Sequence, residues 1–551
     1  MFLYEMNTTK IKHPKALPFL FFSEMWERFG YYLMIGIFTL YLKDVKEGFA
    51  MTEAESADLY GTFIALVFLT PFIGGLLADR YFGYRKSIIA GGLLMGIGYC
   101  MMGIHSKPIL YLAMTLVILG NGFFKPNIST LLGNVYSTDE HRHMKDDGYN
   151  IFYMGINIGA FVCNFFGAAL QIMLGWSWAF LAAGVGMFIG IVIFLLGTKH
   201  YKAFDIKKEA QEGDMPFSKI VMIILLPSVI AGILGWLIPN HIFGSDSTDA
   251  FIFACIPVVY FYSSLYFKAK ESEKKPIGAL LAIFAVVTLF WAVFKQNGSA
   301  LNTWADRYTN REVTGTQKEV FSSLKFSKDI TYQQDSVESY DAYFRLQKNE
   351  HGEVIREYNY PLYFRNMAEA KKPTEGSTIS VWSTNLSQSI NPGWVILLTP
   401  LVVAFFTFLR RKQVEPTTPT KIALGLLISG LSALVMYAAV KAGSNGAEKV
   451  SVWWLIASYG VITIGELFLS PMGLSIVSKL SPPRITALMM GGWFLSTSIG
   501  NKLSGVLASM WDTYEDKGNF FLVNVVLLMI AFLFLLAMLR WLNRIFNEYV
   551  K

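Results

Sequence analysis

LPFLFFSEMWERFGYYLMIGIFTLYL, residues 17–42, decides how the rest of the chain is read. It is apolar over the length needed to cross a bilayer, about 20 residues, yet it carries Glu24, Glu27 and Arg28 in its first half. Working outward with the same ruler finds thirteen further runs, near 55–78, 87–105, 108–134, 149–173, 178–198, 217–239, 250–268, 276–304, 386–409, 420–441, 451–478, 484–510 and 519–546. Of the 551 residues 53% are hydrophobic and 16% charged, against about 25% charged in globular domains. An all-α polytopic membrane protein follows. A cytosolic enzyme, a disordered scaffold and a secreted disulfide domain are excluded.

The three cysteines, Cys100, Cys163 and Cys255, lie inside apolar runs and behave as small hydrophobes. The net charge of +7 does not indicate nucleic acid, because Lys and Arg gather at alternate ends of the spans. Lys10, Lys12 and Lys15, then Arg80, Arg85 and Lys86, then Lys199, Lys202, Lys207 and Lys208 share one side; Arg410, Arg411 and Lys412 continue it. The positive-inside rule puts that side, and both termini, in the cytoplasm.

Residues 306–383 are polar and follow the ninth span, so they are expected outside the membrane. Residues 306–375 hold 11 Lys/Arg and 12 Asp/Glu, leaving almost no net charge. YFRLQKNEHGEVIREYNY (343–360) alternates around NEHG, which predicts a β-hairpin. This insert is expected to be a lid or decoration without catalysis.

Six charges inside spans stand out: Glu24, Glu27, Arg28, Lys125, Lys295 and Glu466. Each costs about 2.5–3.5 kcal/mol at the bilayer centre, so roughly 15–20 kcal/mol together if unpaired. Three are acidic and three basic, so they can neutralise one another across a shared cavity, whereas salt bridges that merely hold helices together would not need so many. Helical spacing puts Glu24 one turn before Glu27 and Arg28, with Tyr31 and Tyr32 one turn beyond. A buried carboxylate beside an arginine and a second carboxylate is poised to exchange a proton, which points to proton-coupled transport. No zinc spacing, nucleophile motif or phosphate loop accompanies these charges, so neither a cofactor nor an enzymatic reaction is expected and protons serve as the coupling ion.

EMWERF resembles the ExxER motif of the proton-dependent oligopeptide transporter (POT) family, within the major facilitator superfamily. In order along the chain, GGLLADRYFGYRKSI, GNGFFKPNIS, FYMGINIGAF, FWAVFKQNGSAL, SINPGWVILLTP, GELFLSPMGLSIVSKLSP and MMGGWFLSTSIGN are similar to further segments of that family. The resemblance implies two six-helix bundles, 1–200 and 276–551, joined by a linker (201–275) with two extra transmembrane helices, the insert lying within the second bundle. It further implies a monomeric symporter of small peptides in a bacterial inner membrane. Glu24, Glu27, Arg28 and Lys125 would couple protons. Lys125 would also meet the peptide carboxylate, while Glu466, Asn157 and Asn391 would meet its amino terminus. Tyr31, Tyr32 and Trp493 would line side-chain pockets, and Asp79, Arg80 and Arg85 would gate the cytoplasmic side. Pro392 and Pro471 would allow helices to bend near the cavity.

Three positions depart from the family pattern. Ile35 stands where an arginine is usual, Lys295 where an acid is usual, and Phe68 where a tyrosine is usual. The first two family residues commonly pair at the outer gate. Lys295 could bind an acidic substrate group, pair with Glu466, or lie off the pathway. An acidic or modified peptide, or another small anion, is therefore the alternative cargo. A non-transporting receptor that uses the insert is the alternative of another class.

Overall fold

The computed structural model describes residues 12–141, 144–206, 216–482 and 485–549. The side chains of Asp79 and Arg80 lie outside the described residues, as do Lys207 and Lys208.

Among the described residues fourteen long helices follow one another: α1 (Leu17–Lys43), α2 (Glu53–Leu77), α3 (Tyr84–Met102), α4 (Lys107–Val135), α5 (Lys145–Leu174) and α6 (Trp176–Leu196); α7 (Ser218–Trp236), α8 (Asp246–Lys268) and α9 (Glu271–Arg307); then α10 (Ile390–Arg411), α11 (Thr418–Ala442), α12 (Val452–Leu480), α13 (Thr486–Ser509) and α14 (Lys517–Tyr549). Eleven are long and apolar enough to span by composition alone. α1, α3 and α13 are not among those eleven. α1 carries Glu24, Glu27 and Arg28, and the other two are rich in Gly and Ser, residues that suit helix–helix contact in lipid.

Two cores divide the chain. One joins buried residues from Ala16 to Tyr201, the other chiefly residues from Ala269 to Ile545, while α7 and α8 form a small apolar cluster of their own around Ile224 and Phe261. Large apolar side chains such as Val192, Leu196, Leu397, Leu401 and Leu533 are exposed, whereas Glu24, Glu27 and Arg28 are buried. That inside-out arrangement suits a lipid solvent, which offers polar groups no partner.

Local chemistry explains where the helices start and break. Thr52 and Glu55 form a reciprocal capping box at the start of α2. α9 runs regularly to Phe294, tightens through Lys295–Gly298, and resumes at Ala300. The freed backbone carbonyls find partners: Gln388 donates to the Asn297 carbonyl at 2.8 Å and Thr39 to that of Gly298 at 2.9 Å. Gln296 and Asn524 exchange two buried hydrogen bonds of 2.9 and 3.0 Å beside the break. Pro392 corrects an expectation, since it lies in the first turn of α10, where a missing N–H costs nothing. Pro400 of α10 and Pro471 of α12 do lie in helix interiors, as do Pro71 of α2, Pro126 of α4 and Pro257 of α8.

The insert carries β1 (Glu312–Val313), β2 (Ser327–Thr331) and β5 (Thr378–Trp382) in an antiparallel sheet of order β1-β5-β2. β3 (Asp335–Glu338) pairs with β4 (Arg356–Asn359). The NEHG turn is present, with Lys348 bridged to Val354 and Gly352 N–H donating to Asn349. The regular ladder, however, runs from β4 to β3 rather than to the segment just before the turn. A short core of Tyr363, Phe364, Met367 and Val381 holds the insert together.

Among the described residues, every hydrogen bond between the two bundles lies at the midplane or toward the insert. Gly61 of α2 meets Gly505 of α13 so closely that a Cβ on Gly61 would come within 2.6 Å of the Gly505 Cα. Ser498 donates to the Ala65 carbonyl at 2.7 Å and Ser389 to that of Phe161 at 2.8 Å. The molecule is thus sealed at the insert end.

Candidate functional site

Three groups of side chains meet at mid-membrane between the bundles. In the first, Arg28 makes a two-pronged contact with the Glu27 carboxylate and reaches Glu24 Oε1 at 3.4 Å. The guanidinium also lies 5.0 Å from the centre of the Tyr31 ring. The other oxygen of Glu24 is buried without a hydrogen-bond partner. Glu27 is therefore fully engaged by Arg28, and Glu24 keeps one free oxygen.

The second group centres on Phe68. Lys125 Nζ stands 4.2 Å from the ring centre and Lys295 Nζ 5.1 Å from it. Lys295 also lies 5.6 Å from Trp291 and 5.7 Å from Phe294. Among the described residues neither lysine has a carboxylate within 4.0 Å. Rings offer charge compensation but accept no full set of N–H bonds, so both ammoniums keep donors for a ligand. Both ammoniums therefore lie within cation–π range of one ring.

The third group belongs to α10 and α12. Asn391 Nδ2 donates to Glu466 Oε2 at 3.2 Å and to Thr463 Oγ1 at 2.8 Å. Lys295 is within electrostatic reach of Glu466, though not paired with it. Tyr32 lies in reach of both Arg28 and Glu466, and Tyr153 in reach of Glu466 and Tyr32. Asn157 is buried and donates to the Tyr153 carbonyl at 2.9 Å.

The remaining expected residues stand elsewhere. Tyr31 is buried in the first core, so Tyr32 is the member of that pair left partly exposed. Trp493 is buried in the second core, packed over Gly473 and edge-on to Phe284 at 6.4 Å. Arg85 makes its described backbone contact with Asp205 at 3.3 Å, inside the first bundle. Through it the α2–α3 connection is anchored to the segment after α6.

Among the described residues, ionic contacts between bundles occur at the insert end, in residues that sequence reasoning passed over. Lys502 of α13 holds Asp58 of α2 at 2.6 Å and donates to Thr62 and Ser247 at 2.7 and 2.9 Å. Ser245, Ser247 and Thr248, at the start of α8, donate to the same carboxylate. Close by, Glu53 binds Lys43 at 3.1 Å and the Thr303 hydroxyl at 2.7 Å, with Arg307 at 3.8 Å. Lys502 in an otherwise apolar run was the available signal, by the same rule that singled out Lys125.

A family model described as the POT family matches residues 85–325 and 377–526. The chain belongs to the POT family. Among the relatives of this POT-family chain, dipeptide and tripeptide permease A of Proteus mirabilis is 28% identical over 512 residues, covering 92% of this chain and 88% of the relative. An uncharacterized transporter, YclF, of Bacillus subtilis is 28% identical over 529 residues, covering 94% and 92%. The solved structure of a peptide transporter POT mutant in complex with alafosfalin superposes with a TM-score of 0.73 at 27% identity, covering 97% of this chain and 96% of that one. A peptide transporter POT in complex with sulfate gives 0.72 at 28% identity, covering 97% of this chain and 96% of that one.

Proposed function

We propose that this POT-family protein is a proton-coupled symporter that imports di- and tripeptides by alternating access. The observation that carries the reading is the mid-membrane arrangement: two lysines with unused donors on one side, an amide-held carboxylate on the other, and a proton-ready acid beside them. A peptide zwitterion needs a cation for its carboxylate and an anion for its amino terminus. Lys125 and Lys295 supply the first, Glu466 with Asn391 the second, and Tyr32 and Tyr153 supply ring walls that tolerate varied side chains.

Glu24 is the proton carrier in this scheme, because its free oxygen can take a proton without dismantling the Arg28–Glu27 pair. Protonation removes one of two anions facing Arg28 and so changes the charge that the peptide carboxylate meets. The sealed insert end fits an inward-facing state, with the insert outside and both termini in the cytoplasm of a bacterial inner membrane. The protein acts as a monomer, since both bundles and the whole site come from one chain.

A second reading rests on Phe68. Two cations on one ring give the cavity more positive charge than a neutral dipeptide requires, which favours peptides with an acidic side chain. Both readings are tested by uptake of labelled dialanine into proteoliposomes, with and without an inward proton gradient. Gradient-driven uptake displaced by unlabelled dialanine supports the symporter, and stronger displacement by alanyl-glutamate supports the acidic preference. Absence of uptake by well-folded protein would refute peptide import.

A further inference from the structure

Beyond the sealed end lies a second chamber that the transport cycle described above does not use. It measures about 330 Å3, within the size range of small-molecule sites, about 300–1,000 Å3. The ends of α1 and α9 form its floor, and the insert forms its roof. Lys43, Lys46, Arg307, Arg311 and Lys328 line it, against Asp44, Asp306 and Glu338.

The acids in this chamber are already engaged. Asp306 accepts from Arg311 at 3.0 Å and from Thr384 at 2.8 Å. Asp44 accepts from the Trp176 indole at 3.1 Å and from the backbone N–H groups of Lys46 and Glu47 at 2.8 Å. Glu338 faces Arg356 at 3.5 Å. The donors are not used up in the same way. Among the described residues the exposed ammonium groups of Lys46 and Lys328 have neither an ion pair nor a hydrogen bond, although Lys328 is within electrostatic reach of Asp306 and Asp44 as well as of Arg311 and Lys46. Asn385, 1% exposed and also lining the chamber, has a side-chain N–H2 with no partner. Two ammoniums and a buried amide donor are left over, and the acids are spent. The complement of such a set is an anion with planar oxygens.

We propose that this chamber is a second binding site, which takes a carboxylate between Lys46 and Lys328 and so holds an incoming peptide by its C-terminus while the seal beneath it is shut. Recognition of a carboxylate follows from the donors; the choice of a peptide to carry it rests on the transport reading. Lys43 and Arg307 belong to both the chamber and the Glu53 cluster, so an anion bound here competes with Glu53 for its partners and sits where it can loosen the seal.

The test uses the full chain in liposomes, with Val45→Cys placed in the chamber wall and its modification by a membrane-impermeant thiol reagent followed in time. The protein without Val45→Cys gives the background from the native cysteines. Dialanine is expected to slow modification at least threefold in a saturable way. Dialanine amide, which lacks the carboxylate, and inorganic phosphate are expected to leave the rate unchanged. Adding Lys46→Gln and Lys328→Gln is expected to abolish the protection. No protection by dialanine, equal protection by the amide or by phosphate, or protection that survives the double lysine variant would overturn the proposal. Dialanine uptake measured in the same liposomes keeps the two readings apart. Protection without uptake leaves this site standing and removes peptide import; uptake without protection does the reverse.

Discussion

Lys502→Met tests whether the Asp58–Lys502 contact is the latch of the sealed end. The lysine side chain is 1% exposed and that of Asp58 is 25% exposed. Removing one partner of a buried ion pair costs about 3–5 kcal/mol, most of it from stranding the other charge. Here Asp58 would keep three hydroxyl donors, Ser245 at 3.1 Å, Ser247 at 2.5 Å and Thr248 at 3.2 Å. The cost therefore falls to about 2–3 kcal/mol. Because the pair joins α2 to α13, that cost bears on the sealed state only; once the helices part, water solvates Asp58. A penalty of that size shifts the sealed-to-open ratio by about 30- to 150-fold. Nitroxide labels at Ala54 and Thr513, on opposite sides of the seam, would report it by pulsed electron–electron distance measurement. The expected result is a second, longer distance population in the variant. Adding Asp58→Leu should restore the short distance, since an apolar pair strands no charge. An unchanged distribution in Lys502→Met would refute the latch.

The other predictions concern proton coupling, cargo and pH. Glu24→Gln should reduce gradient-driven uptake at least tenfold and preserve peptide exchange, with little change in melting temperature; driven uptake at the wild-type rate would remove Glu24 as carrier. Glu27→Gln should instead lower stability by about 2–3 kcal/mol and impair both transport modes, because it leaves the buried Arg28 with Glu24, at 3.4 Å, as its remaining carboxylate; an unchanged melt would contradict this. Lys295→Gln should weaken competition by alanyl-glutamate relative to dialanine about tenfold, near 1.4 kcal/mol; a constant ratio would place Lys295 off the pathway. Asp512, in the loop before α14, is pushed up from 3.8 to about 6 by burial, with Glu53 adding to the effect. The folded state then binds a proton more readily than the unfolded chain. The stabilisation is complete below pH 3.8 and is lost as pH rises through 6, about 3 kcal/mol in all. Asp512→Asn should accordingly raise the melting temperature more at pH 8 than at pH 5, and equal shifts at both would exclude this group.

Residue order alone determined the helical membrane architecture, because a bilayer admits few ways to satisfy a backbone and each leaves an apolar run of readable length. The same rule exposed Glu24, Glu27, Arg28, Lys125, Lys295 and Glu466, since a charge in such a run is costly without a purpose. Ile35, Lys295 and Phe68 were legible as departures from the family pattern, but not what replaced the missing pair. That took tertiary structure. Which lysine faces a ring rather than an acid, which of two neighbouring carboxylates keeps a free oxygen, and that Tyr31 turns into a core while Tyr32 does not are all set by helix rotation. A hydropathy run carries no information about rotation. The seal at the insert end and the chamber above it join α1, α2, α8, α9, α13 and the insert, residues up to 444 positions apart in the chain. Lys502 alone carries a local signature, a charge in an apolar run; Asp58, Lys46 and Lys328 read singly as ordinary charges, and only packing of the bundles decides which of them find partners.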